Sequence, residues 1–208
     1  MKIYEYKGFP NPARVRIALA EKGLFDDVEF VQVDVTAGEH LTPEFLAKNP
    51  SAAVPVLELA DGTHISESTA IAEYLDHFAG DPELTGKTPK ERAVISMMQR
   101  KVEAGLLDAV GFYFHVGTDG LGSDIESYRN DAWGARQKET AVKTMHWMDG
   151  ILADQAYLAG DQFTVADITA MAGFAFADFV SLDIPETCAH LQDWRTRVSA
   201  RPSAAKAA

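Results

Sequence analysis

Phe45–Leu75, FLAKNPSAAVPVLELADGTHISESTAIAEYL, is the segment of this chain that decides its fold. Its apolar run VPVLEL leads into Asp61-Gly62, and a second short β-favouring run follows. An Asp-Gly pair between two such runs is a strong signal of a β-hairpin. Beyond the triplet Ser66–Ser68, apolar residues recur at helical spacing. The segment therefore predicts a strand, a hairpin turn, a second strand and the start of a helix.

Val54-Pro55 opens the first of these strands, where a proline removes a hydrogen-bond donor from the sheet. If the peptide bond between the two residues is cis, the backbone N–H and C=O of Val54 turn outward and can pair with an extended peptide-like ligand. The alternative is an ordinary trans proline at the start of a strand, since only about 5–6% of X-Pro bonds in folded proteins are cis. The dipeptide by itself leaves both alternatives open.

Glu67 and Ser68 lie where the predicted helix begins. The first backbone N–H groups of a helix have no partner within the helix and carry a partial positive charge. This end of the helix can therefore bind a carboxylate. The alternative is simple capping, in which Ser66 or Ser68 is the N-cap residue and no ligand is involved.

Taken together, VPVLEL, the turn and SESTAIAEYL resemble the glutathione-binding half of the glutathione S-transferase family. In that family the residue before a cis-proline pairs with the backbone of the cysteine of glutathione, and an acidic-Ser pair at the next helix start holds the γ-glutamyl group. The resemblance implies these roles for Val54, Pro55, Glu67 and Ser68. It also implies that His40, in GEHLTPEF, reaches the glycine carboxylate of glutathione.

The composition limits the classes of function that this chain can have. Its 208 residues carry a net charge of −12, which disfavours binding to nucleic acids and to anionic membrane surfaces. The single cysteine, Cys188, excludes an intrachain disulfide and a cysteine-based zinc site. The longest apolar runs stay well short of a membrane span, and MKIYEYKGF lacks the apolar region of a signal peptide. We therefore expect a cytoplasmic protein without a metal.

The N-terminal part predicts the strand–helix–strand order of a βαβ unit, with strands at 2–6 and 28–33 around a helix at 13–22. The intervening Gly8–Pro12 is expected to be a loop that cannot be helical before Pro12. Together with a short helix near 43–48 and the hairpin, this order is that of a thioredoxin-like α/β domain, which we place at residues 1–79.

The remainder of the chain predicts an all-α helical-bundle domain at 90–208, after a Gly- and Pro-rich linker at 80–89. Long helices are expected at 90–115 and at about 124–153. Thr164-Val165-Ala166-Asp167 has the spacing of an N-terminal capping box, and the helix after it is apolar on nearly all sides, so it should be buried. The expected fold is α/β plus all-α, the glutathione transferase fold, and known family members are usually homodimers with the active site between the two domains.

Phe9 departs from the family pattern at the position that usually activates the thiol. Most members have Ser, Tyr or Cys there, followed in the Ser and Cys types by Pro and, five positions on, by Arg, as in Pro10 and Arg14 here. A phenylalanine side chain cannot donate a hydrogen bond. The backbone N–H of Asn11 and the start of the following helix are the groups that could stabilise a thiolate instead.

PNPARVRIALAEKG and LTGKTP resemble most closely an atypical group of the family that was first described in yeast and lacks the usual Ser, Tyr or Cys. In that group, activation is attributed to a water held by a Ser and a His on the first long helix of the C-terminal domain. The resemblance implies that His115 is this histidine, while Gly111, four positions earlier, stands at the serine position. The alternative for His115 is a favourable interaction with the C-terminal end of the helix dipole.

The resemblance implies an enzyme, a detoxifying glutathione transferase that adds the glutathione thiolate to small hydrophobic electrophiles. Its catalytic residues would be His115 and Asn11, with Asn11 also binding glutathione, and the electrophile would contact Phe9, Val110, Phe114, His115 and Phe179. Two alternatives remain at this point. One is a non-catalytic glutathione-fold protein that binds ligands or docks a partner, and the other is a glutathione-dependent peroxidase. The identity of the electrophile does not follow from the sequence.

Overall fold

The computed structural model describes residues 1–123 and 125–207 of the chain. This part forms two compact units: the first comprises residues 1–85 together with the residues from Arg201 onward, and the second comprises residues 86–200. The bounds expected from the sequence were 1–79 and 90–208.

A four-stranded mixed sheet forms the first unit, with the strand order β2-β1-β3-β4. The strands are β1 (Lys2–Glu5), β2 (Glu29–Gln32), β3 (Val56–Glu58) and β4 (His64–Ser66). The helices of this unit are α1 (Pro10–Glu21), α2 (Pro43–Leu46) and α3 (Ser68–Phe78). Strand β1 is parallel to β2 and antiparallel to β3, which is antiparallel to β4. This confirms the βαβ unit and the hairpin of a thioredoxin-like domain.

The sheet and helices α1 and α3 meet in one apolar core. Its fully buried members come from β1, α1, β3 and α3: Ile3, Val15, Leu19, Leu57, Ile71 and Leu75. The hairpin turn is the predicted one, since the N–H of Gly62 donates to the carbonyl of Leu59 (3.0 Å) and Gly62 has a positive φ of 87°. The Asp61 carboxylate accepts from the N–H of Thr63 (2.9 Å) and completes the turn.

Helix α1 begins at Pro10, two residues before the predicted limit. The expectation that the chain cannot be helical before Pro12 is therefore wrong. The first turn of a helix does not use its N–H groups within the helix, so prolines at its first and third positions remove nothing that the helix needs. Asn11 consequently lies inside the first turn and not in a loop.

The first unit extends to Thr85 because a buried carboxylate holds the chain there. The side chain of Asp76 on α3 accepts hydrogen bonds from the backbone N–H groups of Glu83 (3.2 Å) and Thr85 (2.8 Å) and pairs with Lys22 (2.9 Å). Burial alone would raise the pKa of Asp76, but the hydrogen bonds from Thr85 and Lys22 hold it below its ordinary value. The first half of the predicted linker is thus part of the folded unit.

The end of the chain also packs on the first unit, contrary to its assignment to the helical domain. Arg201 forms a bidentate ion pair with Glu21 at the end of α1 (2.9 and 2.7 Å), and the Ser203 hydroxyl donates to the same carboxylate. Arg16 donates to the carbonyl of Lys206 (2.8 Å). Burial would raise the pKa of Glu21, but the bonds from Arg201 and Ser203 lower it, so the carboxylate is charged and anchors the terminal segment.

The second unit is helical. Its elements are α4 (Pro89–Val102), a π-helical segment (Glu103–Leu107), α5 (Asp108–Gly117), α6 (Asp131–Leu152), α7 (Val165–Phe179) and α8 (Ala189–Ser199). Residues 125–130 precede α6, so the predicted start near residue 124 is wrong for this range. The helix begins after Asn130 because the Asn130 side chain caps it by accepting a hydrogen bond from the N–H of Trp133 (3.0 Å). Asp124 itself lies outside the described residues. Within the described ranges, every helix is too short or too polar to cross a membrane.

Helix α7 is the buried centre of the second unit, as its all-round apolar sequence predicts. The predicted capping box between Thr164 and Asp167 is present. The fully buried Asp167 carboxylate accepts from the N–H of Thr164 (3.0 Å) and of Leu158 (3.1 Å) and from the indole N–H of Trp194 (2.9 Å). Burial raises the pKa of Asp167 to about 6, against the hydrogen bonds, which lower it.

We predict that replacing Asp167 by Asn destabilises the helical unit more in acid than near neutral pH. Because the folded pKa of about 6 exceeds the unfolded value, the folded protein binds the proton more tightly, and the wild type loses stability as the pH rises from about 4 to about 6. Asn does not titrate, so the cost of Asp167→Asn should shrink by about 2–3 kcal/mol over this range.

Urea unfolding followed by tryptophan fluorescence measures this difference, because Trp133, Trp147 and Trp194 all belong to the helical unit. Asp161→Asn, an exposed site on the preceding loop, is the matched control and should show no such trend. A cost of Asp167→Asn that grows with pH would contradict the raised pKa.

Candidate active site

The backbone at Val54-Pro55 is open to a ligand. The peptide bond between the two residues is cis, Pro55 is buried, and Val54 is partly exposed. Among the described residues, neither the N–H nor the C=O of Val54 forms a hydrogen bond. A donor and an acceptor on one exposed residue match the backbone of an extended peptide.

Asn49 shapes the loop that leads to Val54, and its role was not anticipated from the sequence. Its buried side-chain amide donates to the carbonyl of Ala53 (2.8 Å) and accepts from the N–H of Ser51 (3.1 Å). The amide thereby replaces the regular backbone pairing that this irregular segment lacks. An Asn that lies two residues before a Ser is common in protein sequences, so the sequence alone did not indicate a role for Asn49.

The start of α3 is free of any side-chain cap. Glu67 is the N-cap residue, with a positive φ of 69°, and its carbonyl accepts from the N–H of Ile71 (2.9 Å). Neither Ser66 nor Ser68 caps the helix, so the simple-capping alternative is wrong. The N–H groups of the first turn, from Ser68 to Ala70, form no hydrogen bond within the part of the chain that the structure describes. They leave an electropositive helix end beside a carboxylate side chain.

Ser68 links this helix end to the start of α1. Its buried hydroxyl donates to the carbonyl oxygen of Asn11 (3.1 Å). The hydroxyl hydrogen of Ser68 is therefore already used, and its lone pairs and its backbone N–H are the groups left for a ligand. The starts of two helices are thus held side by side.

Among the described residues, Asn11 carries the one unpaired N–H at the start of α1. Pro10 and Pro12, on either side of it, have no N–H, and the N–H of Phe9 donates to the carbonyl of Tyr6 (3.2 Å). The side chain of Asn11 accepts from Arg14 (2.9 Å), so it is turned along the helix. The Pro-Asn-Pro sequence therefore concentrates the positive end of the helix dipole on a single donor.

Phe9 and Tyr4, near the first strand, offer no further donor for a thiolate. The Phe9 ring packs on the Tyr6 ring, with 4.5 Å between the centroids. The hydroxyl of Tyr4 donates to the Glu58 carboxylate (2.6 Å), and this bond raises the pKa of Tyr4 above its ordinary value. Tyr4 is thus engaged within the sheet.

His40 lies in a short 3₁₀ helix, Glu39–Leu41, with an unusual imidazole environment. Its Nδ1 atom is buried, and within the described residues it has no hydrogen-bond partner. The neighbouring Glu39 does not serve it, because the Glu39 carboxylate accepts from the N–H of Asp34 (2.6 Å). A buried polar atom without a hydrogen-bond partner is rare in folded proteins, so the imidazole of His40 is a candidate for binding a ligand.

His115 belongs to an aromatic cluster in the helical unit, on the last turn of α5 and the last turns of α7. Phe114 lies 4.8 Å from the His115 ring, 5.5 Å from Phe176 and 5.6 Å from Phe179, all as ring-centroid distances. Phe179 is 72% exposed, so the cluster presents apolar surface to solvent. Val110 is fully buried and offers no surface to a ligand, which corrects its assignment as a contact residue.

The partner of His115 is Glu126, which the sequence analysis missed. The Nδ1 atom of His115 hydrogen-bonds to Oε1 of Glu126, eleven positions later on the loop between α5 and α6. At Gly111, an added Cβ would meet the Phe176 ring at 3.5 Å, an ordinary contact distance. His115 thus pairs with a carboxylate.

Residues 1–123 and 125–207 offer no metal site and one open groove away from the predicted site residues. No group of three or more His, Cys, Asp or Glu side chains is placed to hold a metal ion in these ranges. An open groove of about 660 Å³ runs along α6, and it is lined by Ala135, Lys138, Glu139, Val142, Lys143 and His146. None of the predicted site residues lines this groove.

Two family profiles match the chain. Residues 10–77 match the profile described as glutathione S-transferase, N-terminal domain, and residues 123–202 match that described as glutathione S-transferase, C-terminal domain. These ranges fall in the first and the second unit, respectively, apart from the last two residues of the second match.

Full-length relatives agree with the profiles. The chain is 52% identical over 206 residues to glutathione S-transferase 2 of Saccharomyces cerevisiae, which covers 99% of this chain and 88% of that protein. The crystal structure of yeast Gtt2 superposes with a TM-score of 0.97 at 52% identity and full coverage of both chains. A glutathione S-transferase domain-containing protein from Marinobacter aquaeolei superposes with a TM-score of 0.96 at 59% identity, covering 98% of this chain and 99% of that one. The resemblance to the yeast-type group is thereby confirmed, and the chain belongs to the glutathione S-transferase family.

Proposed function

We propose that this protein is a glutathione transferase that adds the glutathione thiolate to small hydrophobic electrophiles. The observation that carries the proposal is the open Val54 backbone beside a cis-proline, in the same unit as the uncapped start of α3. Each of these features binds one part of an extended γ-glutamyl tripeptide. Family membership supports the same activity.

Glutathione would be held along its whole length by the first unit. The N–H and C=O of Val54 would pair with the backbone of the cysteinyl residue. The γ-glutamyl α-carboxylate would bind the first N–H groups of α3, while its ammonium group pairs with the Glu67 carboxylate and a lone pair of Ser68. The unpartnered imidazole of His40 would meet the glycine carboxylate.

The Asn11 N–H is our candidate for thiolate stabilisation. A free thiol has a pKa of about 8.5, and lowering it by roughly two units needs about 2.7 kcal/mol of preference for the thiolate. A hydrogen bond to a charged acceptor contributes about 1.5–3 kcal/mol, and a helix N-terminus adds about 0.3–1 kcal/mol. One N–H at the start of α1 therefore has the right magnitude.

His115 would take the thiol proton through a water molecule, as the resemblance to the yeast-type group implies. The electrophile would lie against the exposed aromatic surface formed by Phe114 and Phe179. Aromatic surface suits flat, apolar electrophiles because ring contacts add to the burial of apolar area. We also propose a homodimer that acts in the cytoplasm on toxic compounds, following the family.

We predict that glutathione bound to the protein is ionised near neutral pH. Titration of the protein with glutathione should produce the ultraviolet absorbance of a thiolate, and 1-chloro-2,4-dinitrobenzene should be conjugated. S-methylglutathione, which has no thiol, is the control ligand and should bind without the absorbance change. Binding without ionisation or conjugation would favour the non-catalytic alternative, and absence of binding would contradict the proposal. Reduction of an organic hydroperoxide would reveal the peroxidase activity.

We predict that Glu67→Gln weakens glutathione binding and leaves chemistry at saturation nearly unchanged. Loss of a charge-assisted bond to the γ-glutamyl ammonium should raise Kd by about tenfold or more, since about 1.4 kcal/mol corresponds to a factor of ten. Calorimetry measures Kd, and steady-state kinetics measures kcat. Glu73→Gln, at an exposed position on the same helix, is the matched control. Equal Kd values for the two variants would remove Glu67 from the binding site.

We predict that Asn11→Pro impairs thiol ionisation and that Asn11→Ala does not. Proline removes the N–H, and the first turn of a helix tolerates proline, whereas alanine removes only the side chain and its contact with Arg14. The pKa of bound glutathione, read from the thiolate absorbance as a function of pH, should rise by about one unit or more in Asn11→Pro. Circular dichroism checks that both variants fold. Equal pKa values in the two variants would assign the thiolate to another donor.

A further inference from the structure

The carboxylate of Glu126 defines the hydrogen-bonding state of His115. An ionised carboxylate only accepts hydrogen bonds, so the Nδ1 atom of His115 must be the donor of the bond that joins them. In the neutral imidazole, the other ring nitrogen, Nε2, then carries the lone pair. The pair therefore selects one of the two tautomers of His115, the one with a basic Nε2.

The Glu126 side chain is more buried than the histidine that it contacts, with exposures of 16% and 44%. Its second oxygen, Oε2, is buried and has no partner among the described residues, and His115 is the only group there that bonds its carboxylate. The nearby Arg129 pairs with Asp119 and Asp131 instead. The charge of Glu126 is thus directed at the imidazole, and no cation among the described residues neutralises it.

The surrounding loop is built to hold this carboxylate. Gly120 has a positive φ of 51°, and a Cβ added there would lie 1.7 Å from the Oε2 atom of Glu126, so a larger residue would displace this carboxylate. Both loop ends are fixed close to α5. The Thr118 hydroxyl donates to the carbonyl of Phe114 (2.6 Å), and the N–H of Asn130 donates to the carbonyl of Val116 (2.9 Å).

Glycines also bring α6 close to the end of α5. A Cβ on Gly134 would lie 2.2 Å from the Cα of Gly117, two residues after His115, so the two helices make backbone contact there. This close approach sets the distance that the loop must span. The position of Glu126 therefore follows from helix packing and not from a flexible surface contact.

We propose that Glu126 is a positioning residue for His115: it fixes the ring and the tautomer, and it stabilises the imidazolium ion that forms when His115 accepts a proton. This rests on the proposed function, in which His115 accepts the thiol proton. The proton passes from the glutathione sulfur to the bridging water while a water proton passes to Nε2, which leaves a thiolate and an imidazolium; the imidazolium later returns the proton to solvent. A base oriented by a third group is the arrangement that activates many enzymatic nucleophiles.

The test compares four variants of the full chain: Glu126→Gln, Glu126→Leu, His115→Ala and the double variant His115→Ala/Glu126→Leu. Glutamine keeps an acceptor oxygen and removes the charge, whereas leucine removes both. Asp119→Asn is the control for a loosened loop, because it breaks the pair with Arg129 and leaves His115 untouched. The readouts are kcat, KM for glutathione, and the tautomer of His115 from long-range ¹H–¹⁵N NMR, with its signal assigned among the six histidines by His115→Ala.

We expect Glu126→Leu to lower kcat by about tenfold or more with KM nearly unchanged, and to shift His115 away from the Nδ1–H tautomer. Glu126→Gln should retain this tautomer and lose about threefold in kcat, and Asp119→Asn should behave as wild type. In the His115→Ala background, Glu126→Leu should have no additional effect.

Three outcomes would overturn the proposal. The first is that Glu126→Leu matches Asp119→Asn in both kcat and the tautomer of His115. The second is that Glu126→Leu still lowers kcat in the His115→Ala background. The third is that His115→Ala keeps the wild-type kcat. Failure of the proposed function is seen separately, in a wild-type protein that does not ionise or conjugate glutathione. In that case the NMR comparison of Glu126→Leu with Glu126→Gln still decides whether Glu126 selects the tautomer of His115.

Discussion

The hydrogen bond from the Ser68 hydroxyl to the carbonyl of Asn11 is the interaction on which the candidate glutathione site depends. It holds the start of α3 beside the start of α1, so that two electropositive helix ends face the same region of the first unit. One end has several unpaired N–H groups and the Glu67 carboxylate, which suits a zwitterionic γ-glutamyl group. The other has a single N–H, at Asn11, which suits a single sulfur atom.

Helix α1 is also held at its middle and its far end, and this stiffens the site that it supports. Arg16, buried in the helix, pairs with the fully buried Glu5 of β1 at 2.5 Å and lies over the Phe30 ring at 4.5 Å. At the end of the helix, Glu21 binds Arg201 in the terminal segment of the chain. Breaking one partner of such a buried pair leaves an uncompensated charge, so these contacts resist movement of α1. The last residues of the chain therefore belong, physically, to the unit that would bind glutathione.

In the helical unit, a buried carboxylate and close helix packing hold the structure in place. Its buried helix α7 is fixed by Asp167, whose carboxylate gathers donors from three separate parts of the chain. Small residues then let neighbouring helices approach closely, as at Gly117 and Gly134. This packing places the α5–α6 loop, and with it Glu126, against His115. The contact between His115 and Glu126 thus arises from packing at two glycines that carry no chemistry themselves.

The sequence alone determined the features that depend on a few neighbouring residues. The Asp61-Gly62 turn and the capping box at Thr164 follow from local backbone preferences and are present as predicted, and the motif around Val54-Pro55 carried the family resemblance. At the start of α3 the residues left simple capping open, and the structure decided against it. The prediction that the chain cannot be helical before Pro12 was wrong, because the first turn of a helix does not need the N–H groups that proline lacks.

Only the tertiary structure decided the features that depend on distant contacts. The first unit reaches Thr85 and includes the residues from Arg201 onward because buried carboxylates at Asp76 and Glu21 bind them there. Val110 is buried, although its helical position alone was compatible with a ligand contact. His115 and Glu126 meet because two helices pack closely and the loop between them is tied down, and no local pattern over eleven positions encodes that approach. Local conformational preferences extend over three or four residues, whereas the meeting of side chains across a loop is set by the packing of the whole unit.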